Sequence, residues 1–123
     1  MTSEKKHIAI LGSTGSIGTQ ALEVISAHRD KFEVEVLTAG NNADLLIQQA
    51  QAFKPNVVVI GNDDLYDKVF NALDSLDIKV YAGAKALSSV VQMESVHMVL
   101  TALVGYAGLK PTIAAIEAGK HIA

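Results

Sequence analysis

The sequence predicts an open, doubly wound parallel α/β sheet, three layers deep, with helices on both faces. Three observations predict it. Six short apolar runs alternate with five helical segments along the chain. Ala, Val, Ile and Leu dominate a composition that is 50% hydrophobic but only 5% aromatic, which suits strands buried on both faces. A turn with evenly spaced glycines joins the first apolar run to the first amphipathic one. The length, 123 residues, fits a single domain.

The elements follow in order. HIAIL (7–11) is a short apolar run ending in glycine, hence a strand. Over 16–28 the spacing predicts a helix with Ile17, Ala21, Val24, Ile25 and His28 on one face. FEVEVLTA (32–39) is a strand rich in β-branched residues. ADLLIQQAQAF (43–53) is a helix that Lys54-Pro55 stops, because the residue before proline avoids the helical region. VVVI (57–60) is a fully apolar strand. Asn62-Asp63-Asp64 caps the next helix and places acids at its positive end. IKVYA (78–82) is a strand, 84–93 a short helix, and VHMVLTALVG (96–105) a long apolar strand. KPTIAAIEAG is a helix with Pro111 in its first turn and Gly119 past its end. The closing HIA (121–123) reads as the opening of a buried strand, so the chain is expected to be a piece of a longer protein, cut after Ala123.

Composition removes several function classes. With no cysteine there is no disulfide, thiolate nucleophile or Cys-based metal site, which fits a reducing compartment. Net charge is −3, and the one basic pair, Lys5-Lys6, reads as a solvated flank rather than a nucleic-acid footprint. No apolar run approaches the ~18 residues of a membrane span, and residues 1–6 do not resemble a signal peptide. The expectation is a soluble, cytoplasmic protein with neither nucleic acid nor membrane as partner.

The stretch ILGSTGSIG places Gly12, Gly15 and Gly18 between a strand and an amphipathic helix. A helix N-terminus offers unpaired N–H groups and the positive end of the dipole, so a phosphate fits there if no Cβ blocks its approach. In a Rossmann-like fold Gly12 would allow a tight turn, Gly15 a close approach by a pyrophosphate, and Gly18 close packing of the helix on the strands. Ser13, Thr14 and Ser16 add hydroxyls. Gly18 is followed by Thr19-Gln20 rather than Lys-Ser/Thr, which removes the ATPase-type phosphate loop. The second strand ends in Thr38, Ala39 and Gly40 with no carboxylate, and Glu33 and Glu35 come too early. A 2′-phosphate would meet no repulsion there, and Asn41 and Asn42 could donate to it, so NADP is favoured over NAD. Asn42 also fits the N-cap of the following helix. His7, His28, His97 and His121 are scattered, and Asp63, Asp64 and Asp67 read as solvated. The loop within ALVGYAGLKPT (102–112), with Gly105 and Gly108, lies beyond a strand end, where it could face the nicotinamide half of a cofactor.

Together, ILGSTGSIG, AGNN and ALVGYAGLKPTIAAIEAGK resemble the 1-deoxy-D-xylulose 5-phosphate reductoisomerase family, and the resemblance runs from Ile8 to Ala123. It implies a Rossmann-like NADPH-binding domain over 1–123, truncated before the family's catalytic domain. The parent activity would be isomerisation and NADPH-dependent reduction of 1-deoxy-D-xylulose 5-phosphate to 2-C-methyl-D-erythritol 4-phosphate, a step of non-mevalonate isoprenoid synthesis. Mg²⁺ or Mn²⁺ would serve the parent enzyme, itself a homo-oligomer. The resemblance places Thr14, Gly15, Ser16 and Ile17 against the cofactor in the loop. Gly40, Asn41 and Asn42 would lie around the adenosine ribose and its 2′-phosphate, and Ala102 and Leu103 on the nicotinamide side. Relatives often carry a basic residue at position 41, and an amide is the weaker phosphate partner. Catalytic and metal residues would lie downstream, none within this chain, so the chain alone would be inactive. The alternatives are the cofactor domain of another NAD(P)H reductase, or a stand-alone nucleotide-binding module.

Overall fold

The computed structural model describes residues 5–102 and 109–122. Strands β1 (Lys6–Leu11), β2 (Phe32–Ala39), β3 (Val57–Ile60), β4 (Lys79–Ala82), β5 (Met98–Thr101) and β6 (His121–Ile122) form one sheet in the order β4-β3-β2-β1-β5-β6. Every neighbouring pair is parallel. Helices α1 (Ser16–Ala27), α2 (Ala43–Phe53) and α3 (Tyr66–Leu73) cover one face. Their Leu22, Ile25, Leu46, Ala50, Val69 and Leu73 pack on Ile8, Ile10, Val34, Leu37, Val58 and Ile60. Helices α4 (Ala84–Val90) and α5 (Leu109–Glu117) cover the other face, where Val90 and Ala115 join Ala9, Leu11, Val36, Val59 and Val99. The sheet is therefore doubly wound, in three layers, as its alternation predicts.

The chain steps from β1 to β4 towards one edge, then crosses back to lay β5 on the free side of β1. Helix α1, which follows β1, and helix α5, which follows β5, lie on opposite faces, so the sheet changes direction between these two strands, and open α/β sheets bind ligands beyond the carboxyl ends at such a point.

Several sequence expectations need correction: the helix expected over 84–93 ends at Val90, and His121 and Ile122, expected in a buried strand, are exposed at the edge of the sheet. On α1 the buried residues are Gly18, Leu22 and Ile25, whereas Ile17 is 60% and Val24 58% exposed and His28 also faces out. The buried stripe starts from Gly18, because only a residue without a side chain can rest on the Gly12–Ser13 backbone that follows β1. The fifth strand covers Met98–Thr101 rather than 96–105. Val96 is buried but precedes the ladder, and 103–105 lie outside the described residues. Asn62 caps a 3-10 turn, Asp63–Leu65, that leads into α3 rather than α3 itself.

The opposite end of the sheet, its floor, holds a buried polar cluster. Ile8 pairs with Val34 but Ala9 with Val36, so Glu35 is the extra residue of a bulge. Its carboxylate is bonded by His7 Nδ1 at 2.8 Å and by Asn56 Nδ2 at 2.6 Å. Burial alone would raise its pKa, but hydrogen bonds from Asn56, His7 and Ser95, with the charge of His7, outweigh that and hold it below the usual carboxylate value. The His7 backbone N–H donates to His97 Nδ1 at 3.1 Å, bringing together two histidines 90 residues apart.

Candidate functional site

Beyond Leu11 the chain turns at Gly12, whose φ of +81° falls where only glycine sits without strain. The turn is clamped from β2: Gly12 N donates to Thr38 Oγ1 at 3.0 Å and Ser13 N to the Thr38 carbonyl at 2.8 Å. Gln49 of α2 completes the clamp. It accepts from Ser13 Oγ at 2.7 Å and donates through Nε2 to the Ser13 carbonyl at 2.9 Å. Ser13 is fully buried by these contacts. Its hydroxyl is committed inward, which removes it as a phosphate donor. Thr14 is half-buried, and Gly15, Ser16 and Ile17 are exposed at the start of α1.

The three glycines differ in role. A Cβ at Gly18 would lie 2.3 Å from the Gly12 carbonyl oxygen and 2.6 Å from Ser13 Cα, so the helix rests directly on the loop backbone. A Cβ at Gly15 would meet only the Gly12 oxygen, at an ordinary 3.7 Å, and otherwise open space. Gly15 is the N-cap of α1 and supplies no side-chain bond, and the first turn carries no acid. By contrast Asn42 caps α2, with Asp44 in its first turn. The amides that open α1 and its positive dipole end are thus left for an external anion.

The second rim is formed where β2 and β3 end. Gly61 N donates to the Ala39 carbonyl at 2.7 Å and Asn62 N to the Gly40 carbonyl at 2.9 Å. Space beside Gly40 is open, and Asn41 and Asn42 are exposed. Asn42 Oδ1 accepts from Leu45 N at 3.2 Å, which leaves only its amide nitrogen for a ligand. An apolar hollow of about 250 Å³ lies alongside, bounded by Ala39, Gly40, Val59, Gly61, Gly83 and Leu87. Larger hollows lie between α4 and α5 and on the floor beside His7 and His97, away from the glycine turn.

At the switch point Ala102 N donates to the Leu11 carbonyl at 2.9 Å, so Ala102 stands next to the glycine turn. Leu103, Gly105 and Gly108 lie outside the described residues. The histidines are at strand starts or at the C-cap of α1, at the floor end of the sheet. The described residues contain no group of three or more His, Cys, Asp or Glu that could hold a metal ion. Sequence reasoning missed Thr38 and Gln49. Gln49 did carry a signal: it is a polar residue at a helix position that shares the buried face of Leu46 and Ala50.

Comparison with known proteins agrees with this geometry. The family model described as 1-deoxy-D-xylulose 5-phosphate reductoisomerase matches residues 8–123. The reductoisomerase of Phocaeicola vulgatus is 59% identical over 119 residues, covering 97% of this chain and 31% of the relative. The chain thus spans about a third of the length of the curated relatives it matches. The solved reductoisomerase of Zymomonas mobilis in complex with NADPH superposes with a TM-score of 0.92 at 35% identity, covering 98% of this chain and 31% of that one. A crystal structure of the reductoisomerase with NADPH, fosmidomycin and magnesium gives 0.91 at 34% identity, covering 95% and 29%. The clamped glycine turn at the switch point, and a family match running through it to the end of the chain, place this chain in the 1-deoxy-D-xylulose 5-phosphate reductoisomerase family.

Proposed function

We propose that this chain is the NADPH-binding part of an enzyme that isomerises 1-deoxy-D-xylulose 5-phosphate and reduces the intermediate to 2-C-methyl-D-erythritol 4-phosphate. One observation carries the reading: the open, uncapped start of α1 held against β1 by Gly12 and Gly18, in a fold shared with an NADPH complex. When bound, NADPH supplies the hydride for the reduction. The chain's own residues bind and orient it. The amides of Ser16 and Ile17, with the Thr14 hydroxyl, receive the pyrophosphate, which Gly15, its own amide turned to the Gly12 carbonyl at 3.3 Å, lets approach for want of a side chain. Gly40, Asn41 and Asn42 receive the ribose and its 2′-phosphate. The hollow under Gly61 and Gly83 suits the adenine ring, being apolar and backed by glycine. Ala102 and Leu103 border the nicotinamide side.

The absence of a carboxylate at the end of β2 supports NADPH over NADH, since an acid there would repel the 2′-phosphate. Magnesium belongs to the parent enzyme in this reading. The described residues contain no group of three or more His, Cys, Asp or Glu that could hold it. A cytoplasmic, homo-oligomeric parent protein completes the proposal. No described helix is long and apolar enough to cross a membrane.

Calorimetric titration of the chain with NADPH and with NADH tests the reading, with Gly15→Val as control. The structure accommodates a Cβ at position 15, and a melting curve showing the variant folded makes its loss of binding report on the site. Binding that prefers NADPH and disappears in Gly15→Val is expected. A wild-type chain that binds neither nucleotide, or binds NADH as well as NADPH, contradicts it.

A further inference from the structure

Asn41 does not stand alone on the rim. Asn62 Nδ2 reaches across from the end of β3 and donates to Asn41 Oδ1 at 3.1 Å. The direction of this bond is fixed by a third group. Asn62 Oδ1 accepts from the backbone N–H of Asp64 at 3.0 Å. A backbone N–H can only donate, so the Asn62 atom facing it must be the oxygen. Its Nδ2 then faces Asn41, and the Asn41 atom facing that nitrogen must also be oxygen. The Asn41 amide is thereby turned with its NH₂ away from Asn62, and among the described residues that NH₂ has no partner. The Asn62 backbone is itself held, through its bond to the Gly40 carbonyl.

We propose that Asn62 is a positioning residue for cofactor selectivity, orienting Asn41 so that its amide presents donors, not its oxygen, to the 2′-phosphate. The proposal rests on the NADPH reading of the same rim. An unoriented Asn41 would offer oxygen or nitrogen alike, and an oxygen facing a phosphate is repelled. Orientation matters more for an amide than for a lysine, because the amide carries both polarities on one planar group.

Asn62 also caps the 3-10 turn, and the test separates the two roles. Asn62→Ser keeps an oxygen able to accept from Asp64 N but is too short to reach Asn41. Dissociation constants for NADPH and NADH are measured by calorimetry on the full chain for wild type, Asn62→Ser, Asn41→Ala and the double variant. In Asn62→Ser the NADPH-over-NADH ratio is expected to fall about three- to tenfold, the worth of one neutral hydrogen bond. In the Asn41→Ala background the same change should leave the ratio where it is. An Asn62→Ser chain that keeps the wild-type ratio overturns the proposal and leaves Asn62 as a cap. An equal fall in both backgrounds overturns it too, because the effect would not pass through Asn41. Failure of the underlying NADPH reading looks different: the wild type itself then shows no preference or no binding.

Discussion

Gly15 and Gly18 stand three residues apart on the same helix start, yet their substitution should have opposite effects. A Cβ at Gly18 would sit 2.3 Å from the Gly12 carbonyl oxygen, and 2.6 and 2.8 Å from Ser13 Cα and C. All three neighbours are backbone and cannot rotate away. Restoring ordinary contact would need α1 to retreat by about an ångström from a loop that Thr38 and Gln49 hold in place. Overpacking of this kind costs about 1–3 kcal/mol. Alanine's better helix propensity returns about 0.5–1 kcal/mol. With three backbone contacts under 3.0 Å the overpacking falls in the upper part of that range, about 2–3 kcal/mol, so the net loss for Gly18→Ala is roughly 1–2.5 kcal/mol, a fall in melting temperature of roughly 4–10 °C for a chain of this size. At Gly15 the backbone is extended, φ −80° and ψ 176°, and serine is a favoured N-cap. Gly15→Ser should keep or slightly raise the melting temperature. Its hydroxyl would occupy a first-turn amide, and NADPH binding should weaken about tenfold, the scale of one hydrogen bond to a charged group. Thermal melts by circular dichroism and calorimetric titration of both variants check this. A Gly18→Ala chain as stable as wild type, or a Gly15→Ser chain that melts alongside Gly18→Ala, would refute the reasoning.

Two further outcomes are expected. Glu35 has a folded pKa below its unfolded value near 4.5, so the stability it contributes is present above that pH and is lost as pH falls through the folded value. Melting temperature followed from neutral to acid pH should therefore drop less steeply in Glu35→Gln than in wild type, and parallel curves would contradict this. Gln49→Leu leaves the buried Ser13 carbonyl without the Gln49 donor and the Ser13 hydroxyl with only the longer bond to the Thr38 carbonyl at 3.2 Å, and denaturant unfolding should show a loss of about 1–3 kcal/mol.

The sequence made the layers and the glycine turn legible because both rest on local pattern. Alternating runs and a strand-turn-helix need no knowledge of distant contacts. The roles of Gly12 and Gly18 could be assigned in advance for the same reason. What escaped depends on partners far along the chain. Ser13 looks like a hydroxyl donor in a phosphate loop until Gln49, 36 residues on, turns it inward. Ile17 and Val24 share a helical period with Ile25, but the buried stripe is phased by Gly18, whose missing side chain sets which flank meets the sheet. The Asn41–Asn62 bond joins the ends of two strands whose adjacency only the sheet order reveals.

The first five residues of FEVEVLTA alternate apolar and acidic, a pattern that in a regular strand would put Val34 and Val36 on one face. The bulge breaks that phase, and Val34 and Val36 pack into opposite layers. If Glu35 were drawn into the ladder, every later residue of β2 would change sides. Leu37 would leave the layer under α1 and α2, and the Thr38 hydroxyl would swing away from the Gly12 amide. The bonds from His7 and Asn56 that hold the carboxylate out of the ladder thus set the parity of the strand. A residue at the floor of the sheet, remote from any ligand, decides whether the glycine turn at its rim has an anchor.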